Sequence, residues 1–596
     1  MAVQPHYSSS RSIMNTPSVT KQPQPATDSI DAPDQDRAPD GAGPHRFGFA
    51  SVSPAVLYAL ISFYLYHGLW SNPTRSYLTL SANDQTLFEW LFTKAAHDLV
   101  HLTNPLSTGL LNAPEGVNLM ANTAMLGLAL PLAPLTLLAG AGVTWTLLMT
   151  GGLAATAFSW YWLAAKYVTT SRTGALLAGG FCAFAPAMVS HATAHPNLTV
   201  QFMIPVIIDR LLRLRHSQSL PRDGAVLGLF ITYQVFIGEE LLFIAAIGIA
   251  LFALGYAAVH GAQASRFAGP LTRGTAVAGG VAVTLLAYPL AHQFFGSQSY
   301  RLKHDAANEP GAFLAFPGQS LAGDAKAALA LAGNSVTEQN SFLGWPLLVI
   351  VCGIVIWLLD RPMVKVFAGM TIAAAVLSLG ARGPWSLVDY LPLFRSIVEG
   401  RLALICVVGI AMLLALAVER LAAHPNQRVC DAGALALACA LMPIAPTPYP
   451  THERDAPPAF ITSGLWKSYV HPGRTLVPVP VPDNVRAGTM QWQMRANMGF
   501  AIPGGYFVGP IDKDGNGWYG PILRPTAKLL LTVSDTGRIP DIGPEQRRQA
   551  RKDLAYWRAD AVVLPPQPHK QELQTTVDRL LDERGTERAG VHVWRV

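Results

Sequence analysis

Apolar runs close to the length of a bilayer crossing recur along this chain, at 50–70, 143–165, 174–190, 197–212, 224–238, 241–258, 276–293, 342–359, 364–380, 401–418 and 431–446. A helix of about 20 apolar residues spans the hydrocarbon core, so each run predicts a transmembrane helix. The stretch 118–140 is apolar too, but Pro131 and Pro134 interrupt it and Gly140 and Gly142 end it. Charge decides how this stretch is read. If it does not cross, the clusters Lys166/Arg172, Arg213/Arg215/Arg222, Arg266/Arg273, Arg361/Lys365 and Arg420/Arg428 share one side with Arg37 and Arg46. The positive-inside rule therefore predicts about eleven crossings, with 118–140 lying in or dipping into the outer interface. Arg75, Lys94, Arg301, Lys303, Arg382 and Arg395 then fall outside.

This topology gathers the loop 71–142, the turn 191–196 and the loops 294–341 and 381–400 on one face. Residues 447–596 join them, and there the pattern changes. Thr475–Val479, Ala561–Leu564 and Val591–Trp594 read as strands, and 544–558 and 569–584 as charged helices. The expected architecture is an α-helical polytopic membrane protein with a C-terminal extracytoplasmic α/β or α+β domain at 447–596. Residues 49–446 form the membrane domain in this reading. No internal repeat is evident, so the inverted repeats of many transporters are missing.

Composition supports this picture. The chain has 596 residues, of which 51% are hydrophobic and 13% charged, against roughly a quarter charged in soluble proteins. Its net charge of +6 comes largely from Arg in short loops and reports topology rather than nucleic-acid binding. No GxxxxGK[ST] loop or GxGxxG after a strand appears, which argues against a nucleotide-driven machine. The five cysteines lie in or beside apolar segments, with no CxxC pair, so neither a disulfide framework nor a cysteine metal site is expected. Residues 1–48 are rich in Ser, Pro, Gln, Asp and Ala and read as a disordered cytoplasmic tail. They lack the apolar centre of a cleavable signal peptide, so the first span is expected to be an uncleaved anchor. The expected location is the plasma membrane, with the C-terminal region outside.

Polar side chains near span ends carry the candidate chemistry. Asp84 opens the outer loop in the run Ser81-Ala82-Asn83-Asp84-Gln85. A positioned Asp can take the proton of an alcohol acceptor, and it can equally cap a helix starting at Gln85. Glu89 is a second carboxylate or, by preference, a solvated helix face. His191 and His195, four apart, can bind a metal or a phosphate oxygen, although Pro196 disfavours a regular helix. Glu239 and Glu240 can orient an acceptor, pair with Arg or hold a divalent cation; a solvated turn is the alternative. Arg401 and Arg395 precede a late span, where Arg suits phosphate and also snorkels to headgroups. Arg301, Lys303 and His304 are weaker candidates for phosphate. Trp492, Gln493 and Tyr506 suit a glycan surface but are as readily core. Asp512–Gly517 matches half of a calcium loop, lacks the closing Glu, and reads as a turn.

Residues 83–134 carry Asn83-Asp84-Gln85 and Trp90, then Asn104-Pro105-Leu106, then Pro114-Glu115-Gly116-Val117-Asn118-Leu119, before the apolar stretch with paired prolines. This resembles the first extracytoplasmic loop of GT-C glycosyltransferases of actinobacterial type, which use polyprenyl-phosphate sugars. The resemblance implies Asp84 as catalytic base, interfacial helices in this loop, and Arg401, with Arg395 second, on the lipid phosphate. Many relatives carry Gly-Asp where this chain has Asn83-Asp84. The implied partners are a polyprenyl-phosphate sugar donor, a glycan or glycolipid acceptor and membrane lipid, with no nucleic acid. No cofactor is required by the pattern, and a divalent cation is compatible with it. The implied activity lies in cell-wall biogenesis, as arabinosyl, mannosyl or galactosyl transfer. A lipid or glycan transporter, or a non-catalytic envelope scaffold, is the alternative function.

Overall fold

The computed structural model describes residues 49–303, 306–332 and 335–596. The expected tail at 1–48 and His304 lie outside the described residues. Helix α1 (Phe49–Ser71) is followed by α2 (Ala82–His101), then α3 (Leu126–Ala129), α4 (Ala133–Ala139) and α5 (Ala141–Tyr167). The apolar stretch 118–140 is thus a set of short helices, with Pro134 in the first turn of α4 and Gly140 at φ 87° ending it. Next come α6 (Arg172–Phe184), α7 (Pro186–His191), α8 (Pro196–Thr199), α9 (Met203–Arg213), α10 (Leu220–Val259) and α11 (Gly261–Phe295). The expected runs 174–190 and 197–212 are therefore each broken into two helices. Pro186 drives one break, because it holds Ala185 in extended backbone and starts α7.

Among the described residues six helices are long and apolar enough to cross a membrane: from Val52 in α1, then α5, α10, α11, Glu399–Ala422 and Gln427–Ile444. Trp345–Trp357 and Pro362–Leu377 are apolar but shorter. The 40 residues of α10 are not one straight rod, since Gly238 is non-helical within it. Gly224 lies against Gly274 and Val277, and Gly228 against Ala278 and Val281. The first part of α10 therefore runs parallel to α11, although α11 begins directly after α10 ends. A straight α10 would separate those starting points by about 60 Å. The chain must fold back at Gly238, as the two separate runs 224–238 and 241–258 predict. Gly238 is needed there because a Cβ would come 2.8 Å from the Asn197 carbonyl oxygen.

Beyond the last apolar helix, Thr451–Glu453 pairs antiparallel with Ser76–Leu78 and ties the C-terminal region to the first loop. The three predicted strands, joined by Thr586–Arg588, form one four-stranded sheet in the order Thr475–Pro478, Ala559–Leu564, Val591–Arg595, Thr586–Arg588. The first pair is parallel and the others antiparallel. Period-two alternation splits this sheet between two cores. Leu476, Ala561, Val563 and Val591 join the large core of the helical bundle. Val477, Val562, Leu564 and Trp594 pack in a second core with the helices Pro525–Thr536, Pro544–Tyr556 and Lys570–Leu581. Residues 51–596 accordingly form one compact unit. The five cysteines are free.

Two expectations for α2 are corrected. Glu89 is not a solvated face: it is 1% exposed, pairs with Arg454 at 2.6 Å and accepts from Gln85 Nε2 at 2.8 Å. Burying that carboxylate requires a partner of opposite charge, and the strand beside Ser76–Leu78 supplies it. Asp84 is not the helix cap, because α2 begins at Ala82 with Asp84 inside its first turn.

Candidate active site

Helix α2 delivers Asp84 half-buried to a cluster at one end of the bundle. Asn83 fixes the helix start, donating to the Val485 carbonyl at 2.8 Å and accepting from Ala487 N at 3.3 Å. Ser81 Oγ donates to the Thr193 carbonyl, joining α2 to the turn that holds both histidines. The Tyr506 hydroxyl donates to Asp84 Oδ1 at 2.8 Å. Burial pushes the Asp84 carboxyl up to about 6, against the Tyr506 hydrogen bond. Glu338 is within electrostatic reach of it.

His191 ends α7, and His195 precedes α8. Their Nδ1 atoms are 2.9 Å apart, and His191 Nε2 lies 2.6 Å from Asn340 Oδ1. Because a carbonyl oxygen only accepts, Nε2 carries the hydrogen and Nδ1 of His191 is left with its lone pair. The loop carrying Glu338 is pinned to the same turn: Ser190 Oγ donates to the Thr337 carbonyl at 2.7 Å and accepts from Gln339 N at 3.0 Å. Burial, and then Arg401, push the His195 imidazole down to about 3. Burial works to raise Glu338, but Arg401 and the imidazoles outweigh it and hold the carboxyl well below the usual range.

Arg401 is the hub of the cluster. Its Nη1 lies 2.5 Å from Glu240 Oε2 and its Nη2 2.5 Å from Glu338 Oε1. The guanidinium expected to await a phosphate is thus paired with two carboxylates. Among the described residues Glu240 Oε1 is buried with no hydrogen-bond partner, and neighbouring Glu239 accepts from Gln293 at 2.9 Å. Two carboxylates on one Arg leave the cluster net negative, so it has room for a cation. His191, His195 and Glu338 place three ligand atoms within 4.8 Å of one another. The donor set fits a divalent ion: the Asn340 contact orients His191 as a second-shell partner would, and the close Nδ1 pair suits two nitrogens on one metal.

The structure therefore assembles Asp84, His191, His195, Glu240, Arg401 and Tyr506, with Glu239 beside them. It leaves others apart. Arg395 is exposed, with no ion pair among the described residues. Gln493 is wholly buried, accepting from Trp90 Nε1 at 2.8 Å, and Trp492 is buried in the same core. These two are packing between α2 and the helix Met490–Arg495 rather than a glycan surface. Asp512 sits in an exposed turn, accepting from Asn516 Nδ2 at 2.7 Å. Glu338 was not singled out by the sequence; its only signal is a lone carboxylate among polar residues at 335–340. Tyr519 was missed as well. It lies across from Val508 in a hairpin beginning just after Tyr506, is 41% exposed, and sits within electrostatic reach of Asp84, Glu338, Glu240 and Arg401.

No protein-family model matches the chain, and no curated protein does. Among solved structures it is similar to the arabinofuranosyltransferase AftD from Mycobacteria, at 16% identity and TM-score 0.55, over 92% of this chain and 40% of that one. The chain thus spans less than half the length of that enzyme. The oligosaccharyltransferase AglB from Archaeoglobus fulgidus, in complex with an inhibitory peptide and a dolichol-phosphate, matches at 11% identity and TM-score 0.46, over 87% of this chain and 69% of that one. Mostly helical, with six membrane-length apolar helices among the described residues, the chain is a multi-pass membrane protein that shares the fold of that mycobacterial arabinofuranosyltransferase over 92% of this chain.

Proposed function

We propose that this protein is a membrane glycosyltransferase that moves a sugar from a polyprenyl-phosphate donor to a glycan or glycolipid acceptor. The observation that carries this reading is the half-buried Asp84, bonded to Tyr506 and facing a cluster of Glu240, Glu338, Arg401, His191 and His195. The fold shared with an arabinofuranosyltransferase supports it. So does the placement of ionisable groups at span ends, where a lipid-linked donor and a water-soluble acceptor meet.

Asp84 accepts the proton of an acceptor hydroxyl as its oxygen bonds to the anomeric carbon, and the bond from that carbon to the phosphate oxygen breaks. The polyprenyl phosphate leaves with the electron pair. Arg401 holds Glu240 and Glu338 in place and contributes positive charge near the leaving group. Tyr519, exposed beside Tyr506, contacts the acceptor. His191, His195 and Glu338 are the residues to hold a divalent cation, which when bound would supply charge for the phosphate oxygens. In this reading the chain crosses the plasma membrane about eleven times, α10 counting as two crossings. The N-terminus is cytoplasmic, and residues 447–596 lie outside with the site.

The test is transfer by the purified full-length protein from a synthetic polyprenyl-phosphate arabinose or mannose. A positioned general base is worth about 10²–10⁴ in rate, so Asp84→Asn should lose at least about 100-fold at unchanged expression. Near wild-type transfer by that variant removes Asp84 as the base. Transport of lipid in sealed vesicles with no covalent product replaces the enzyme reading with a carrier.

A further inference from the structure

Remote from Asp84, the ends of α5 and α9 and the start of α10 line an open pocket. Its volume is about 410 Å³, and its lining includes Tyr167, Arg213, Arg215, His216, Arg222 and Asp223. At about 1.5 Å per residue, roughly 27 Å of helix separates Arg222 from Glu240. The two sites therefore lie at opposite ends of the first part of α10.

Three guanidinium groups line this pocket against one carboxylate. Arg213 uses Nε on Asp209 at 2.9 Å, and Asp209 also takes Lys166 at 2.5 Å and Tyr167 at 2.8 Å. Arg215 uses Nε on the Leu212 carbonyl at 2.9 Å, and its guanidinium lies 5.4 Å over the Phe267 ring. Arg222 has no ion pair among the described residues. Asp223 accepts from Ser217 Oγ at 2.6 Å. The pocket thus keeps a net positive charge. Loop arginines that merely set topology need no pocket and no fixed rotamer. Here two of the three are held through Nε, which leaves their terminal nitrogens for a ligand.

We infer that this pocket binds a phosphate group, presented by an anionic phospholipid headgroup or by a soluble phosphate. The planar fork of Arg matches phosphate oxygens in pairs, and basic pockets at the ends of membrane helices take anionic headgroups.

The experiment uses the full-length protein, delipidated in detergent, with phosphatidylglycerol, phosphatidylcholine and inorganic phosphate as probes. Native mass spectrometry reads lipid binding, and thermal melting reads phosphate. The variants are Arg213→Gln/Arg215→Gln/Arg222→Gln and, as a control in another basic cluster, Arg428→Gln. A charge-assisted hydrogen bond is worth about 1.5–3 kcal/mol, so the triple variant should weaken binding by at least about tenfold, with the control unchanged. Loss confined to phosphatidylglycerol identifies a lipid headgroup, and loss of stabilisation by inorganic phosphate identifies a soluble ligand. Should the triple variant not fold, Arg222→Gln alone, at a residue with no ion pair among the described residues, should weaken binding by about tenfold, the worth of one charge-assisted hydrogen bond. Equal binding by wild type and variant, or an equal loss in the control, overturns the inference.

Discussion

At Asp84 two local effects oppose each other. Burial raises its carboxyl to about 6, and the hydrogen bond from Tyr506 restrains that rise. An Asp serving as base must be ionised, so transfer should increase with pH through about 6 and level off above it. Tyr506→Phe removes a donor that favours the carboxylate. The midpoint of the acid limb should then move up by about 0.5 to 1 in pH, the worth of one hydrogen bond; a midpoint that stays put excludes Tyr506 from this role. The same balance bears on stability. The folded-state value lies above the ordinary 3.8, so the stabilising contribution is complete below that value and is lost as pH rises through about 6. Asp84→Asn should therefore be more stable than wild type at pH 7.5, by about 1–3 kcal/mol, in thermal unfolding in detergent. A variant that gains stability while losing activity marks a group retained for chemistry rather than for folding.

Among the helices, the reversal inside α10 decides where the acidic pair stands. Gly238 is in extended backbone that any residue adopts, so the reason for glycine is space: its Cα hydrogens face the Asn197 carbonyl. Gly238→Ala should cost about 1–3 kcal/mol, because a backbone atom cannot step aside as a side chain does. It should also displace Glu240 from Arg401 and Asn197 from its place beside the histidine turn. Thermal unfolding together with transfer assays checks this; an Ala variant of wild-type stability and rate shows the contact to be loose. Gly224 and Gly228 serve packing instead, letting α10 approach the α11 backbone. Helix α2 joins two tasks, presenting Asp84 at its first turn and burying Glu89 against Arg454 further along.

For the protein as a unit, the C-terminal region completes the bundle rather than decorating it. It contributes Tyr506 and Tyr519 to the site, Arg454 to Glu89, and Gln493 to Trp90. Deleting 447–596 should leave a chain that does not run as a monodisperse species in size-exclusion chromatography, since one face of the sheet belongs to the main core. A well-behaved, active truncation would show the region to be an independent appendage. Six membrane-length helices, fewer than the eleven crossings expected, the reversal near 238, three strands of the C-terminal region and the candidacy of Asp84, Glu240, Arg401 and the two histidines were legible in the residues. Span hydropathy and strand alternation are sums over neighbouring positions, so local composition is enough to reveal them. The assembly of the site was not legible. Arg401 meets Glu338 and Glu240 across 63 and 161 residues, and Asp84 meets Tyr506 across 422. Whether a carboxylate is solvated or paired depends on what the folded chain sets against it, and no local pattern encodes a partner so distant. That is why Glu89 turned out buried, why Glu338 was missed, and why the Arg expected to await a phosphate is held by two carboxylates.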